Sequence, residues 1–497
     1  MQVLPVFPFF KIICMDQQNI KIRIVTAASL FDGHDAAINI MRRILQSKGA
    51  EIIHLGHNRS VHEIVECAIE EDAHAIAVTS YQGGHVEFFK YMKDLLEEAQ
   101  CGHIKIFGGG GGTILPHEIE ELQAYGITKI YSPDDGRHMG LEGMIEDLIK
   151  QCGPVPTSHA GEEVWQDSDY LSASEGWTDA IPLGEAKDIR KIARRITLAE
   201  LGIDNDHFIT SSSTGGKAAV LGITGTGGAG KSSVTDEIVR RFLNSYADKT
   251  IAVISVDPSR KKTGGALLGD RIRMNAISHP RAYMRSMATR NDNTALSKTA
   301  SQAIDICKQA GFDLVILESA GVGQSDASIV DYCDVSMYVM TPEYGAASQL
   351  EKINMLDYAD VICMNKFDKA GAVDALHDVK KQYRRNHLLW DTKDEDIPVV
   401  GTIAAQFNDA GVNELFERVM EKIEDKTGIT FAGHVQHHSH VKDTHNKSQI
   451  IPPKRTRYLA EIADAIQEYG RRAEEQSSIA SKLYQLNGAI EILKNEK

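Results

Sequence analysis

The run GTGGAGKSS at residues 225–233 fills the pattern G-x-x-x-x-G-K-[S/T] with Gly225, Gly230, Lys231 and Ser232, directly after the apolar stretch AAVLGIT. Glycines at this spacing let backbone N–H groups turn inward around a β-phosphate, and a helix N-terminus adds partial positive charge. Gly228, Ala229 and Ser233 complete that cradle. Lys231 can reach the β and γ oxygens, and the Ser232 hydroxyl can ligate Mg²⁺. A tight turn with no ligand would leave Lys231 facing no counter-charge, so the phosphate reading prevails. Farther along, Asn365, Lys366, Phe367 and Asp368 spell N-K-x-D at the end of the apolar run DVICM. An aspartate so placed accepts from the guanine N1–H and exocyclic amine, so guanine is expected over adenine. Asp257 and Glu318 end the runs IAVISVD and FDLVILES, at the carboxyl edge where such sheets bind ligands. With Lys231 they are the candidate catalytic residues, and hard carboxylate oxygens there suit Mg²⁺.

A second constellation lies near the N-terminus. LFDGHDAAINIMRRIL follows the run IRIVTAA and sets Asp32 two residues before His34. In such a pair one imidazole nitrogen can ligate a metal while the carboxylate takes the other ring N–H and fixes the tautomer. The alternative from these residues alone is that Asp32 caps the following helix and His34 is an exposed loop residue. SYQGGH brings Ser80, Gly83 and Gly84 to the end of a third apolar run, and Gly108, Gly109 and Gly110 open the GGGGG that ends a fourth. Two glycine-lined loops beside the Asp-x-His turn would allow a bulky ligand to slide between strands and backbone.

These residues need rigid sheet edges, and the chain is patterned to supply them. Short β-branched runs alternate with helical periods from Lys21 to Cys152, and a second such series runs from AAVLGIT to Phe431, so two parallel α/β domains are predicted. The expected divisions are an extension over 1–20, domains at 21–152 and 211–431, a connector over 153–210, and a linker with helical tail over 432–497. The charged stretch Lys187–Leu201 is assigned to the connector, and the polar run SSSTGG at Ser211–Gly216, where the second domain opens, also reads as connector sequence. His434, His437, His438, His440 and His445 read as solvated linker rather than a metal site. The 497 residues carry a net charge of -15, which disfavours a broad grip on nucleic acid or anionic lipid. The 7 cysteines lack C-x-x-C pairing, no apolar run reaches the ~18 residues of a membrane span, and the apolar N-terminus lacks a basic leader. A cytoplasmic protein is expected, starting at Met1 or Met15.

SVDPSRKKTGGALLGDRIRM (Ser255–Met274), ESAGVGQSD (Glu318–Asp326) and NKFD together resemble the G-protein chaperones of adenosylcobalamin-dependent mutases. That resemblance implies that Ser232, the Val256 backbone, Asp257, Asp270, Glu318 and Ser319 surround Mg²⁺, and that Arg273 helps hold GTP as substrate. Ser319 stands where a threonine is common in that family. The Asp32–His34 turn with its glycine loops resembles the flavodoxin-like cobalamin-binding domain of acyl-CoA mutases, whose D-x-H-x-x-G histidine becomes the lower axial ligand of cobalt. Ala37 replaces the final glycine of that motif.

The two domains in this order resemble the fused acyl-CoA mutases, which implies the cofactor and chaperone portion of an isobutyryl-CoA to butyryl-CoA isomerase. Residues 432–497 are too few for the ~250-residue substrate barrel of such enzymes. A barrel on the same gene or on a separate subunit is the implied partner, with a homo-oligomer expected. GTP hydrolysis would gate adenosylcobalamin loading; the alternative is a free-standing cobalamin carrier and GTP-driven metallochaperone serving a separately encoded mutase.

Overall fold

The structure, a computed structural model, describes residues 21–153, 188–202, 218–260, 262–289, 298–319, 327–345, 347–431 and 458–495. The expectations for 1–20, for most of the connector, for 320–326 and for the histidine-rich stretch fall outside the described residues. Two compact units are present, Met1–Ser439 and His440–Lys497. Within its described residues, the first holds two parallel α/β modules.

The first module comprises β1 (Arg23–Ser29), α1 (Ala36–Ser47), β2 (Glu51–Arg59), α2 (Val61–Glu70), β3 (Ala75–Thr79), α3 (His85–Glu98), β4 (Lys105–Gly109), α4 (Pro116–Tyr125), β5 (Lys129–Tyr131) and α5 (Pro133–Cys152). The second has α6 (Ile189–Glu200), β6 (Ala219–Gly225), α7 (Lys231–Ser245), β7 (Ile251–Asp257), β8 (Ala266–Leu268), β9 (Ala282–Ala288), α8 (Lys298–Gln309), β10 (Leu314–Glu318), β11 (Val335–Met340), β12 (Val361–Asn365), α9 (Ala372–Asn386), β13 (Val399–Thr402) and α10 (Ala410–Thr427). The sheet orders are β5-β4-β3-β1-β2-β8 and β13-β12-β11-β6-β10-β7-β9. In the first sheet the chain reverses direction between β1 and β3, and in the second around β6. Ligands bind beyond the carboxyl ends of strands at such points.

Both sheets are covered on two faces, as parallel sheets require. In the second, Leu221, Ile223, Val253 and Ile316 face one apolar cluster while Val220, Ala252, Ile254 and Val315 face another, the period of two that a strand imposes. α6 buries Ile192, Ile196 and Ala199 in the latter cluster, so the stretch assigned to the connector packs as part of the second module. Its spacing of i, i+4, i+7 is an amphipathic stripe. Sequence periodicity also missed β5, β8 and β9. β8 belongs to the second module by chain order but pairs in parallel with β2, with Glu51 opposite Ala266 and Ile53 opposite Leu268. Ala266 and Leu268 enter the same apolar cluster as Val25, Ile53 and Ile76, so the strand is built into the first core.

The second unit contributes one described element, the 38-residue helix α11 (Tyr458–Asn495). Its Arg471 pairs with Glu468 and Glu475. No helix among the described residues is long and apolar enough to cross a membrane.

Candidate functional site

The phosphate loop turns between β6 and α7. Gly225 has φ 153°, and a Cβ there would lie 2.0 Å from the Val339 carbonyl oxygen on β11, so only glycine passes this close to the neighbouring strand. Gly230 caps α7, leaving the first N–H groups of the helix without side-chain partners and free for an anion. Lys231 folds back to donate from Nζ to the Gly225 carbonyl at 3.2 Å.

Behind the loop lies a polar corner. The Ser232 hydroxyl is 2.9 Å from Glu318 Oε1 and 3.1 Å from Asp270 Oδ1. Thr235 donates to Glu318 Oε2 at 2.9 Å, and Ser255 to Asp270 Oδ2 at 2.7 Å. Burial, with Asp270 and Glu318 nearby, pushes the Asp257 carboxyl up to about 8. Burial and the Asp270 charge push Glu318 up to about 7. Three carboxylates are thus crowded at a sheet edge with little counter-charge. Thr235 and Ser255 were not foreseen; a single hydroxyl in a helix or strand has no local signature, and only the fold brings each to its carboxylate. Ser319 Oγ donates to Thr224 Oγ1 at 2.8 Å, and Val256 is buried within β7.

The N-K-x-D segment is bolted onto the loop. Asn365 Nδ2 donates to the Ala229 carbonyl at 2.8 Å, and its Oδ1 accepts from the Ala404 N–H at 3.1 Å. Lys366 Nζ donates to the Gly228 carbonyl at 2.8 Å, and the Phe367 N–H to Thr402 O at 3.0 Å. The end of β13 and the residues after it, Thr402–Ala404, thereby join the site, another contact with no sequence motif behind it. Asp368 and Arg273 are both exposed.

The first module's corner is built differently. Asp32 is fully buried, while the His34 side chain is 70% exposed. Asp32 Oδ1 accepts from the His34 backbone N–H at 2.9 Å and sits 2.8 Å from His34 Nδ1, and Oδ2 accepts from the Tyr81 N–H at 2.7 Å. Burial would raise this carboxyl, but the Tyr81 and His34 N–H groups and the imidazole outweigh it and hold Asp32 below its usual range. An ionised carboxylate only accepts, so Nδ1 carries a proton, and in the neutral ring Nε2 is the nitrogen with the lone pair. Asp32 is therefore not the cap of α1; that position is Asp35, with no side-chain cap bond.

The two glycine loops flank this pair. Ser80 Oγ accepts from Ser29 Oγ at 3.0 Å, and a Cβ on Gly110 would lie 2.0 Å from the Ser80 carbonyl oxygen, so the loops meet backbone to backbone. Gly83 and Gly84 face open space, and Gly109 approaches the Tyr131 carbonyl. Gly108 ends beneath Phe89 and Ile130, and Ala37 is half-buried in the first turn of α1. His85 anchors the rim, with Nε2 2.9 Å from Glu118 Oε2.

Two families match this chain. "Methylmalonyl Co-A mutase-associated GTPase MeaB" matches residues 192–455, and "B12 binding domain" matches residues 22–134. The chain is 52% identical over 483 residues to a "Fused isobutyryl-CoA mutase" of Geobacillus kaustophilus, covering 95% of this chain and 43% of the relative. A protein of the same description from Cupriavidus metallidurans is 52% identical over 477 residues, covering 95% and 42%. The chain thus spans less than half the length of these relatives. Among solved structures, a LAO/AO transport system kinase aligns over 55% of this chain and 80% of its own, with 23% identity and a TM-score of 0.36.

Proposed function

The chain belongs to the methylmalonyl-CoA mutase-associated GTPase family, and from that premise we propose that it holds adenosylcobalamin and gates its loading by GTP hydrolysis for an acyl-CoA mutase of the isobutyryl-CoA type. The observation that carries this reading is the Asp32–His34 pair, a buried carboxylate orienting an exposed imidazole, in one compact unit with a phosphate loop. His34 would hold the cofactor's cobalt through Nε2, and the loops from Ser80 to Gly84 and Gly108 to Gly110 would receive its nucleotide tail. When bound, adenosylcobalamin supplies a Co–C bond that breaks homolytically and so starts radical chemistry.

On the second module, the phosphate loop and Lys231 would hold the β and γ phosphates and meet the charge that develops there during hydrolysis. The residues fit magnesium. Among the described residues no three His, Cys, Asp or Glu side chains form a metal cage alone. Mg²⁺, however, is usually held by one or two carboxylates and completes its shell with water and phosphate oxygens. Ser232, Asp257, Asp270 and Glu318, with the Val256 carbonyl and Ser319, are proposed around it; a cation would relieve the repulsion that keeps Asp257 and Glu318 hard to ionise. Asp368 would accept from guanine, with Asn365 bracing the loop and Arg273 reaching the nucleotide. The proposed partner is a substrate-binding mutase barrel, on the same polypeptide or a separate subunit, in a cytoplasmic homo-oligomer.

The test uses the full chain mixed with adenosylcobalamin. In the Co(II) form, electron paramagnetic resonance with ¹⁵N-histidine labelling should show one histidine nitrogen coupled to cobalt, and His34→Ala should abolish it. Absence of coupling in the wild type would remove the cobalamin half of the reading. Guanine should be preferred over adenine nucleotides by about 10-fold or more, from the cost of leaving the base-reading groups unpaired. Equal hydrolysis of GTP and ATP would remove the guanine assignment.

A further inference from the structure

The segment joining β7 to β9 starts at the proposed magnesium corner, crosses to the first module and returns. At Gly265 a Cβ would lie 2.1 Å from the Gln46 carbonyl oxygen of α1, so the backbones touch. The Ala266 N–H donates to the Ala50 carbonyl at 3.2 Å, and β8 then runs alongside β2. Next comes a single turn, Asp270–Arg273, in which neighbouring side chains face opposite modules. Asp270 reaches Ser232 and Ser255, at 3.1 and 2.7 Å. Arg271, 5% exposed, pairs with Glu70 at the end of α2, lies 3.4 Å from Glu71 Oε1, and donates to the Met284 carbonyl on β9 at 3.2 Å. The Ile272 carbonyl accepts from Arg59 of β2 at 3.2 Å.

Glu71 is itself fully used. It accepts from Arg23 of β1 at 2.6 Å and from the Ser286 N–H of β9 at 3.0 Å. Arg23 also donates to Glu51 at 3.0 Å and to the Ser286 carbonyl at 2.7 Å. The socket that receives Arg271 is therefore tied to the strands of both sheets. A charged group buried with this many partners has one low-energy position, and the adjacent residue inherits it.

We propose that Arg271 is a positioning residue: gripped by Glu70 and Glu71 of the cobalamin-binding module, it sets Asp270 for magnesium, so the metal corner of the GTPase module is completed by the neighbouring module. This rests on the reading of Asp270 as part of the magnesium site. Energetic coupling between sites is reciprocal, so whatever alters the β2 edge or the end of α2 alters magnesium-dependent nucleotide binding, and the reverse.

The test is calorimetric titration of GDP into the full chain, with and without Mg²⁺, for the wild type and for Glu70→Gln, Glu70→Asp and Arg59→Gln. Glu70→Gln should leave GDP affinity without Mg²⁺ within about twofold but reduce the gain that Mg²⁺ confers by roughly 5–150-fold, the usual span of inter-site coupling. Glu70→Asp should recover part of that gain. Arg59→Gln empties no buried charge and should move the gain in the same direction by a smaller factor. An unchanged gain in both Glu70→Gln and Arg59→Gln overturns the proposal, as does a loss of GDP affinity equal with and without Mg²⁺, which would mark a merely structural role. If the wild type shows no gain from Mg²⁺, the magnesium reading falls and takes this inference with it.

Discussion

The two sheet edges prepare for their ligands in opposite ways. At the end of β1, Asp32 spends both oxygens on the Tyr81 N–H and on His34, so every charge is met before a ligand arrives and only the outer face of an imidazole is left to offer. At the ends of β7 and β10, Asp257 and Glu318 lie near Asp270, Glu318 held by the Ser232 and Thr235 hydroxyls, and both are hard to ionise. The first corner suits a ligand that brings its own metal and needs only a nitrogen. The second suits an ion that must be recruited together with its phosphates. A pre-satisfied site binds without reorganisation; a crowded one stores repulsion that only the right cation relieves.

The largest way to sharpen this contrast is Lys231→Ala, which should lower GTP turnover by roughly 10²–10³-fold, the size of losing one charge-stabilising group. Cobalamin affinity should stay as in the wild type. A stopped GTPase assay beside cofactor absorbance titration checks both, and wild-type turnover in the variant would show the phosphate site to be misplaced. Asp32→Asn should weaken cobalamin binding by about 10–100-fold while leaving GTP turnover alone, because an amide stabilises the ring N–H less well than a carboxylate. Unchanged cofactor affinity would break the claim that the first corner works by pre-orientation.

The third effect is smaller and concerns pH. Asp32 is held low in the folded chain, so its stabilisation is present above the unfolded carboxyl range and is lost as pH falls through the folded value. Asp257 and Glu318 are held high at about 8 and about 7, so in the absence of metal their contribution is greatest below the unfolded range and is lost as pH rises through those values. Mg²⁺ competes with the protons on the second pair. Melting curves with GDP should therefore show a larger stabilisation by Mg²⁺ at pH 8 than at pH 6, and a shift independent of pH would remove the crowded-carboxylate account.

What the sequence made legible was local. The phosphate loop, N-K-x-D and the Asp-x-His turn are contiguous motifs at strand ends, and the apolar strands around them have lengths and flanks that mark them. The structure places each at the carboxyl edge of its sheet. Contacts made at long range stayed hidden. Ala266–Leu268 is three residues long, too short for a period, and its partner strand lies over two hundred residues earlier. β9 reads AYMRSMA, and Arg285 and Ser286 hide a strand that is buried throughout. Arg285 is tolerated there because Glu200 and Thr197 of α6 meet it, at 2.6 and 2.9 Å. α6 itself looked like connector because its charges, rather than its apolar stripe, dominate the composition.

The strand β8 also decides where this protein can be cut. A break between Gly153 and Asp188 looks like a seam between domains, but it would take from the first module the outermost strand of its sheet. β2 would then present the bare amides and carbonyls of Glu51–Ile53, and Arg23 and Glu71 would lose the Ser286 backbone that they share. An uncovered, apolar-flanked edge is a template for other strands. The cobalamin-binding module expressed alone should therefore be prone to self-association, which makes the two modules one folding unit despite the tidy division that their motifs suggest.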